Sequence, residues 1–472
     1  MKFQYEILIE FENYIKNKKV AIIGLGVSNL PLLDYFYNKN SIVTIFDGRE
    51  IEKIPKDIAD KIERYKMEIH TGKDYLSNLN EFDLILRSPS CLPTTPELEK
   101  EAERGAIVTT EIELLMKMCP CQIIGITGSD GKTTTTTLIY EVLKNAGYNT
   151  YVGGNIGTPL FTKLDEIMPD DKVVLELSSF QLMGMDISPD IAVITNVSQN
   201  HLNVHKDYQE YIDAKKNIFK YQNENGILVL NYDDDITREC SKEAKGKVIF
   251  ISSKQKLDRG FIVEESIIKQ CEDGFRKHIA NIKDFVIKGM HNYEHICATL
   301  AVTKGLVDSE KTVDILKTFK GVEHRLEFVK EIDGTKWYND SASTSPSRLI
   351  NALNSFDEEI VLIAGGADKN LDYTPVAKPI LGKVTTLILM GQTAEKIFNS
   401  VKQEEENQNK EISIHMAKDL QDAVNLARRY ARPKQIVLFS PASTSFDMFK
   451  DMYDRGRKFK EIINNIWKML DK

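Results

Sequence analysis

Short, wholly apolar runs alternate along the chain with longer stretches in which apolar residues recur every three or four positions. VAII (20–23), SIVTIFD (41–47), FDLILRS (82–88), QIIGIT (122–127), KVVLELSS (172–179), IAVITN (191–196), GILVLN (226–231), EIVLIA (359–364), TTLILMG (385–391) and QIVLFS (435–440) show little polar alternation. That pattern predicts strands buried on both faces, the habit of parallel sheets. The stretches between them have the spacing of helices with one apolar face. Strand and helix in alternation predict doubly wound α/β domains.

A chain of 472 residues is too long for one hydrophobic core and suits about three domains. Three strands run straight into a glycine turn and a helix, in VAIIGLGVSNLPLLDYF, QIIGITGSDGKTTTTTLIYEVLKNAG and EIVLIAGGADKNLDY. Boundaries are expected near 110 and near 323, the second at FKGVEHRLEF. Residues 1–110 and 324–472 are then Rossmann-like domains flanking a central phosphate-loop ATPase domain over 111–323.

Charge narrows the partners. A net charge of −8 argues against a nucleic-acid binder, which needs a basic face. The first twenty residues lack the basic start and apolar core of a secretory signal. No apolar stretch is long enough to span a membrane. Six cysteines do not make a disulfide framework, and Cys119 and Cys121 stand too close together for a zinc or redox pair. The expectation is a cytoplasmic protein.

The central glycine turn, GITGSDGKTTTTTL (125–138), carries the chemistry. The strict phosphate-loop pattern wants a glycine where this chain has Ile126, with Gly125 one step further back. The physical requirements are nevertheless met. Gly125, Gly128 and Gly131 let the backbone curl with its N–H groups inward, Lys132 supplies a cation, and Thr133 a hydroxyl at the helix start that suits magnesium. Glu176 ends an apolar strand and emerges at the same sheet edge, and His201 follows another strand toward that edge. The first turn, Gly24-x-Gly26, lacks a third glycine because Asn29 stands there, although Asp47 ends the next strand. An NAD site and a bare structural turn are both open for it.

Several segments together resemble the Mur ligases, the ATP-dependent amino-acid-adding enzymes of peptidoglycan precursor synthesis. They are GITGSDGKTTTTT, GGNIGTPL, LELSSFQL, GVEHRLEF and SPASTSFDMFKDMYDRG, in the family's order. LELSSFQL and the last segment look like those of members that add D-glutamate to UDP-N-acetylmuramoyl-L-alanine. The resemblance implies that the acceptor carboxylate takes the γ-phosphate of ATP, and that D-glutamate's amine attacks the acyl phosphate. It implies ATP and two magnesium ions, a cytoplasmic location, a monomer, and small-molecule substrates with neither nucleic acid nor a membrane span.

The same resemblance implies roles. Gly128, Ser129, Asp130, Gly131, Lys132, Thr133, Thr134, Asn292, His295, His324, Arg325 and Asp340 would meet ATP. Thr133 and Glu176 would hold one magnesium, and His201 with Lys215, the latter as a carbamate, a second. Lys132, Glu176, His201 and Lys215 form the catalytic set. Gly26, Val27, Ser28, Asp47, Arg49 and Ser90 would meet the UDP substrate, which replaces the NAD reading; Asn155 and Ser178 would meet its reacting end. Thr344, Lys369, Ser445 and the Phe446 backbone would meet D-glutamate. The chain departs from many relatives at Asn200, Asn203, Ala342, Ser90, Asp368 and Met452. A folylpolyglutamate synthetase, an NAD-binding regulator and an inactive ligase-like scaffold are the competing readings.

Overall fold

The computed structural model describes residues 2–199, 204–369 and 371–470. The chain separates into two compact units, Met1–Ile282 with Tyr293–Leu316, and Lys283–Asn292 with Lys317–Lys472. No helix among the described residues is long and apolar enough to cross a membrane.

The first unit holds two sheets. One is five-stranded and parallel, in the order Glu68–Thr71, Ile42–Asp47, Lys19–Ile23, Leu84–Arg87, Ile107–Thr109. The chain starts at the centre, winds out one way and then the other. Its topological switch point therefore lies between Lys19–Ile23 and Leu84–Arg87, where such sheets collect ligands.

The second sheet has nine strands. Its parallel part runs Thr150–Gly154, Lys172–Glu176, Gln122–Thr127, Ile191–Ile194, Ile227–Asn231, Lys247–Ser252, Gly260–Glu264. Ile267–Glu272 and Phe275–Asn281 extend it as antiparallel strands. One apolar core joins both sheets of this unit, from Ile22, Leu33 and Phe36 to Phe161, Leu164 and Val173. Phe161 meets Phe11 and Tyr35 edge-on at 5.9 and 4.9 Å. Beside it the buried Glu111 carboxylate accepts the Leu160 and Phe161 N–H groups at 3.0 and 2.9 Å. Burial outweighs those two donors and pushes its pKa up to about 7.

The second unit is a six-stranded sheet, in the order Glu327–Ile332, Thr335–Asn339, Ile436–Phe439, Ile360–Ala364, Val384–Leu389, Ser413–Met416. Only the Glu327–Ile332 edge is antiparallel. Separate apolar cores cover its two faces, one around Leu362, Ile380 and Leu438, the other around Trp337, Phe439 and Phe459. The α/β architecture expected from the alternation is present in all three sheets. The apolar runs became central strands because both their faces are covered.

Candidate active site

The phosphate loop joins the strand Gln122–Thr127 to the helix Lys132–Ala146. Gly128 and Gly131 both have positive φ, 147° and 79°. Neither has room for a side chain: a Cβ on Gly128 would stand 1.9 Å from Thr195 Oγ1, and one on Gly131 2.1 Å from the His295 ring. Gly125 differs from the expectation. It lies inside the strand, and its missing side chain makes room for Pro189, whose Cγ would stand 2.6 Å from a Cβ there. It is a packing glycine and not part of the curl.

The loop is stitched to the next strand's exit. Ser129 N donates to Asn196 O at 2.9 Å, and Asp130 N to Asn196 Oδ1 at 3.0 Å. Thr195 Oγ1 donates to Asp130 O at 2.6 Å. Ser129 Oγ joins the Tyr211 hydroxyl at 2.9 Å and accepts from Ser198 N at 2.9 Å. Thr133 and Thr134 follow half-buried in the first helical turn, and His295 Nδ1 lies 3.2 Å from Thr135 Oγ1.

Two lysines converge on the loop. Lys132 Nζ donates to Gly128 O and Ser129 O at 2.9 and 3.0 Å. Lys215 comes from the helix Tyr208–Lys220 and donates to Gly128 O at 2.7 Å and Thr127 Oγ1 at 3.4 Å. Its Nζ also sits 4.6 Å from the centre of the Tyr211 ring, one turn earlier on the same helix face. Lys215 is only 2% exposed. Burial, then the charge of Lys132, drive its pKa well below the usual lysine range, against the weaker pull of Asp130.

Glu176 pairs across the sheet with Ile126 and with Gly154, which places it at the carboxyl edge beside the loop. Asn155 Nδ2 donates to its Oε1 at 2.9 Å. Its Oε2 is buried without a hydrogen-bond partner among the described residues. A buried carboxylate oxygen with no donor is costly unless something positive occupies it. With the Thr133 hydroxyl at the helix start, it offers the hard oxygen ligands that magnesium takes. Ser178 caps the short helix Ser179–Leu182: its Oγ accepts Gln181 N, and Gln181 Oε1 accepts Ser178 N at 2.9 Å. His201 lies outside the described residues, as do Asn200 and Asn203.

At the first sheet's switch point, Gly26 and Val27 are exposed and Ser28 half-buried, ahead of the helix Leu30–Asn38. Asn29 stands in place of a third glycine and donates through Nδ2 to Ile23 O at 2.9 Å, fastening the turn to its strand. Asp47 accepts the N–H of Leu25 and a two-pronged grip from Arg49 Nε and Nη2, each at 2.8 Å. Burial pushes its pKa up, but Arg49 and the backbone donors outweigh it and hold the carboxyl below its usual range. Ser90 Oγ meets Ser88 Oγ at 2.9 Å next to the same turn.

In the second unit, Thr344, Lys369, Ser445 and Phe446 lie on loops that follow Thr335–Asn339, Ile360–Ala364 and Ile436–Phe439. Those strands are neighbours, so the loops gather at one carboxyl edge. Ala367 N donates to Thr444 O at 2.8 Å. The buried Arg455 grips the other pair of loops, through Nη1 to Thr444 O at 3.0 Å and Nη2 to Ser341 O at 2.8 Å. Lys369 and Phe446 are exposed, Ser445 buried.

Asp340 accepts Ser440 Oγ at 2.7 Å and Leu326 N at 3.2 Å, and burial pushes its pKa up to about 6. His324 is buried with φ 65°, its Nδ1 2.8 Å from Asn339 Nδ2; Arg325 follows it half-buried. Asn292 Nδ2 donates to Lys288 O at 2.7 Å. Of the residues expected at ATP, those of the loop and His295 belong to the first unit. Asn292, His324, Arg325 and Asp340 belong to the second.

Comparison with known proteins decides the family. Residues 18–110 match the family described as Mur ligase MurD-like, N-terminal domain; residues 126–303 match Mur ligase middle domain, and 324–443 Mur ligase, glutamate ligase domain. A UDP-N-acetylmuramoylalanine–D-glutamate ligase of Acetivibrio thermocellus is 46% identical over 97% of this chain and 99% of its own. Proteins of the same name from Clostridium kluyveri and Clostridium tetani are 45% and 44% identical, each over 97% of this chain and 99% of their own. The chain is a Mur ligase. Among solved structures, a UDP-N-acetylmuramate–alanine ligase of Thermotoga maritima shares the fold with TM-score 0.57, 18% identity, and coverage of 95% of this chain and 99% of that one. A pseudomurein peptide ligase type C of Methanothermus fervidus does so with TM-score 0.57, 19% identity, and coverage of 95% and 100%.

Several residues that shape these loops had little or no signal in the sequence. Tyr211 had a signal, since it precedes Lys215 by four positions and shares its helix face. Thr195 and Asn196 had a weaker one, as the polar end of a buried strand. Arg87 and Arg455 had none: their partners lie far away or are backbone carbonyls.

Proposed function

We propose that this chain is an ATP-dependent ligase that joins D-glutamate to UDP-N-acetylmuramoyl-L-alanine, in peptidoglycan precursor synthesis. The observation that carries the reading is the 46% identity over 97% of the chain to a ligase of that name. The loop geometry supports it. Gly128–Thr134 wraps the ATP phosphates with backbone N–H groups, and Lys132 turns from Gly128 O to their charge. Glu176 and Thr133 would hold magnesium, which would neutralise the phosphate charge.

The acceptor carboxylate attacks the γ-phosphorus and ADP leaves with the bridging oxygen. D-Glutamate's amine then attacks the acyl carbon, inorganic phosphate leaves, and the amine's proton passes to solvent or a nearby base. Gly26, Val27, Ser28, Asp47, Arg49 and Ser90 hold the UDP end. Asn155 and Ser178 hold the reacting end, and Thr344, Lys369, Ser445 and the Phe446 N–H hold D-glutamate's carboxylates. Lysine and hydroxyls suit an acidic amino acid. Asn292, His295, His324, Arg325 and Asp340 hold the nucleoside.

A second magnesium with His201 and a carbamate on Lys215 belongs to the same proposal. The lowered pKa of Lys215 favours the neutral amine that carbon dioxide needs, and the carbamate exchanges a cation for an anion beside Lys132. Domains over 1–110, 111–323 and 324–472 take UDP substrate, ATP and amino acid respectively, in a cytoplasmic monomer.

The test is phosphate release from ATP with magnesium, UDP-N-acetylmuramoyl-L-alanine and a panel of amino acids. Release that requires D-glutamate is expected. Release with a different amino acid overturns the substrate assignment, and no release with any pairing overturns the reaction.

A further inference from the structure

Arg87 ends the strand Leu84–Arg87 beside Ile23 and is 3% exposed. Its guanidinium donates in two directions, Nη1 to Cys91 O at 3.2 Å and Nη2 to Met183 O at 2.5 Å. No carboxylate lies within ion-pair distance of it among the described residues; Glu113 acts on it only from farther away. A buried cation is normally paired, because desolvating it is costly. Two carbonyls alone are a poor reason to bury a charge, unless their relative position matters.

The two carbonyls belong to opposite ends of the acceptor site. Cys91 closes the turn that begins at Ser88 and carries Ser90; Ser88 N is tied to Ile23 O at 2.9 Å, and Cys91 N to Ser88 O at 3.0 Å. Ser88 also fills the space a side chain on Gly24 would need, so this turn packs directly against the Gly24–Ser28 turn. Met183 ends the short helix that Ser178 caps, two residues after Glu176. Ser179 Oγ fastens that helix to His205 Nε2 at 2.9 Å on its other side. Gly184 packs on Pro93, whose Cβ would stand 3.1 Å from a side chain there. Only a planar, rigid fork supplies two fixed donors at such an angle; lysine is a point charge.

We propose that Arg87 is a positioning residue that sets the spacing between the turn holding the UDP end and the loop holding the reacting carboxylate. The inference rests on the ligase reading above. Binding energy gathered at the uridine end, remote from the chemistry, is then delivered to the reaction through a fixed distance.

The experiment compares two acceptors: UDP-N-acetylmuramoyl-L-alanine, and phospho-N-acetylmuramoyl-L-alanine, which lacks the uridine monophosphate. Arg87→Lys keeps the charge and loses the fork; Arg87→Gln keeps a planar donor and loses the charge. With the full acceptor, kcat/KM of Arg87→Lys is expected to fall about tenfold to a hundredfold. With the truncated acceptor, both variants are expected to stay within about twofold of the unaltered enzyme, and KM for ATP to stay unchanged. Equal losses on both acceptors would make Arg87 a merely structural residue and overturn the proposal, as would no loss on either. Unaltered protein that turns over neither acceptor contradicts the ligase reading itself, and the inference falls with it.

Discussion

Lys132 and Lys215 donate to one acceptor, the Gly128 carbonyl, at 2.9 and 2.7 Å. Two ammonium groups within reach of one oxygen repel each other, and the deeper one yields. Lys215 is that one: burial first, and the Lys132 charge second, disfavour its protonated form. The unfolded chain keeps this proton up to the ordinary lysine pKa of about 10.4. Below that pH the unfolded state binds more protons than the folded one, so stability contributed through Lys215 rises with pH and falls on acidification. Lys215→Met is expected to flatten this dependence in bicarbonate-free buffer and to raise Tm by about 2–4 °C at the acid end, while ligase activity is lost. Thermal melts across pH check it; parallel profiles for the two proteins would contradict it.

Glu176 keeps one oxygen on Asn155, and the other is buried with no partner among the described residues. Glu176→Gln keeps an oxygen for Asn155 and removes the charge, so folding is expected to survive, as circular dichroism would record. The rate is expected to fall about a thousandfold, the several kcal/mol a metal ligand supplies, and to need more magnesium for its half-maximal value. A variant that turns over normally with an unchanged need for magnesium would remove Glu176 from the site.

Gly131 and Gly147 both have positive φ, yet only Gly131 meets a neighbour, the His295 ring. Gly147→Ala is expected to cost about 1–2 kcal/mol from backbone strain alone. Gly131→Ala adds overpacking of about 1–3 kcal/mol and pushes His295 off Thr135, so ATP affinity is expected to fall as well. Denaturant unfolding and nucleotide titration of the pair separate the two terms. Equal costs with intact binding would show that His295 does not need that space.

The parts of this site that were legible in the sequence are those made by neighbours in the chain. The run from Gly125 to Leu138 contains its own strand end, turn and helix start, and the buried strands announce themselves by having no polar alternation. The hairpin Ile267–Asn281 carries little strand signal, because its buried positions Ile268, Cys271 and Ala280 are few, irregularly spaced and set among exposed, charged residues. Gly125 was misassigned to the curl since only the fold reveals Pro189 against it. Asp47 was legible as an acid ending its strand, but not the grip of Leu25 N and Arg49 on its oxygens, since that depends on how the two turns meet. Arg87 was invisible because Met183 is 96 positions away and contributes only a carbonyl, which no residue type encodes.

Asp340 is a buried acid held near pKa 6. Unfolded, it titrates near 3.9. Between those values the folded state holds a proton the unfolded state has lost, so stability falls as pH rises from about 4 to about 6 and stays reduced above. Asp340→Asn keeps an acceptor for Leu326 N and lets Ser440 Oγ accept instead of donate. It is expected to gain on the order of 2–3 kcal/mol at neutral pH and little at about pH 4, and to weaken nucleotide binding. Urea unfolding at both ends of that range checks the sign; a variant less stable at neutral pH would refute it.

The measurement that tests the central claim most directly follows a labelled oxygen. UDP-N-acetylmuramoyl-L-alanine carrying heavy oxygen in its carboxylate is incubated with the enzyme, ATP, magnesium and D-glutamate, and the released phosphate is examined by mass spectrometry. Transfer through an acyl phosphate places one labelled oxygen in every phosphate released, alongside a product heavier by one glutamyl residue. Unlabelled phosphate would mean that water, not the acceptor carboxylate, takes the γ-phosphoryl group, and the ligase account would be wrong.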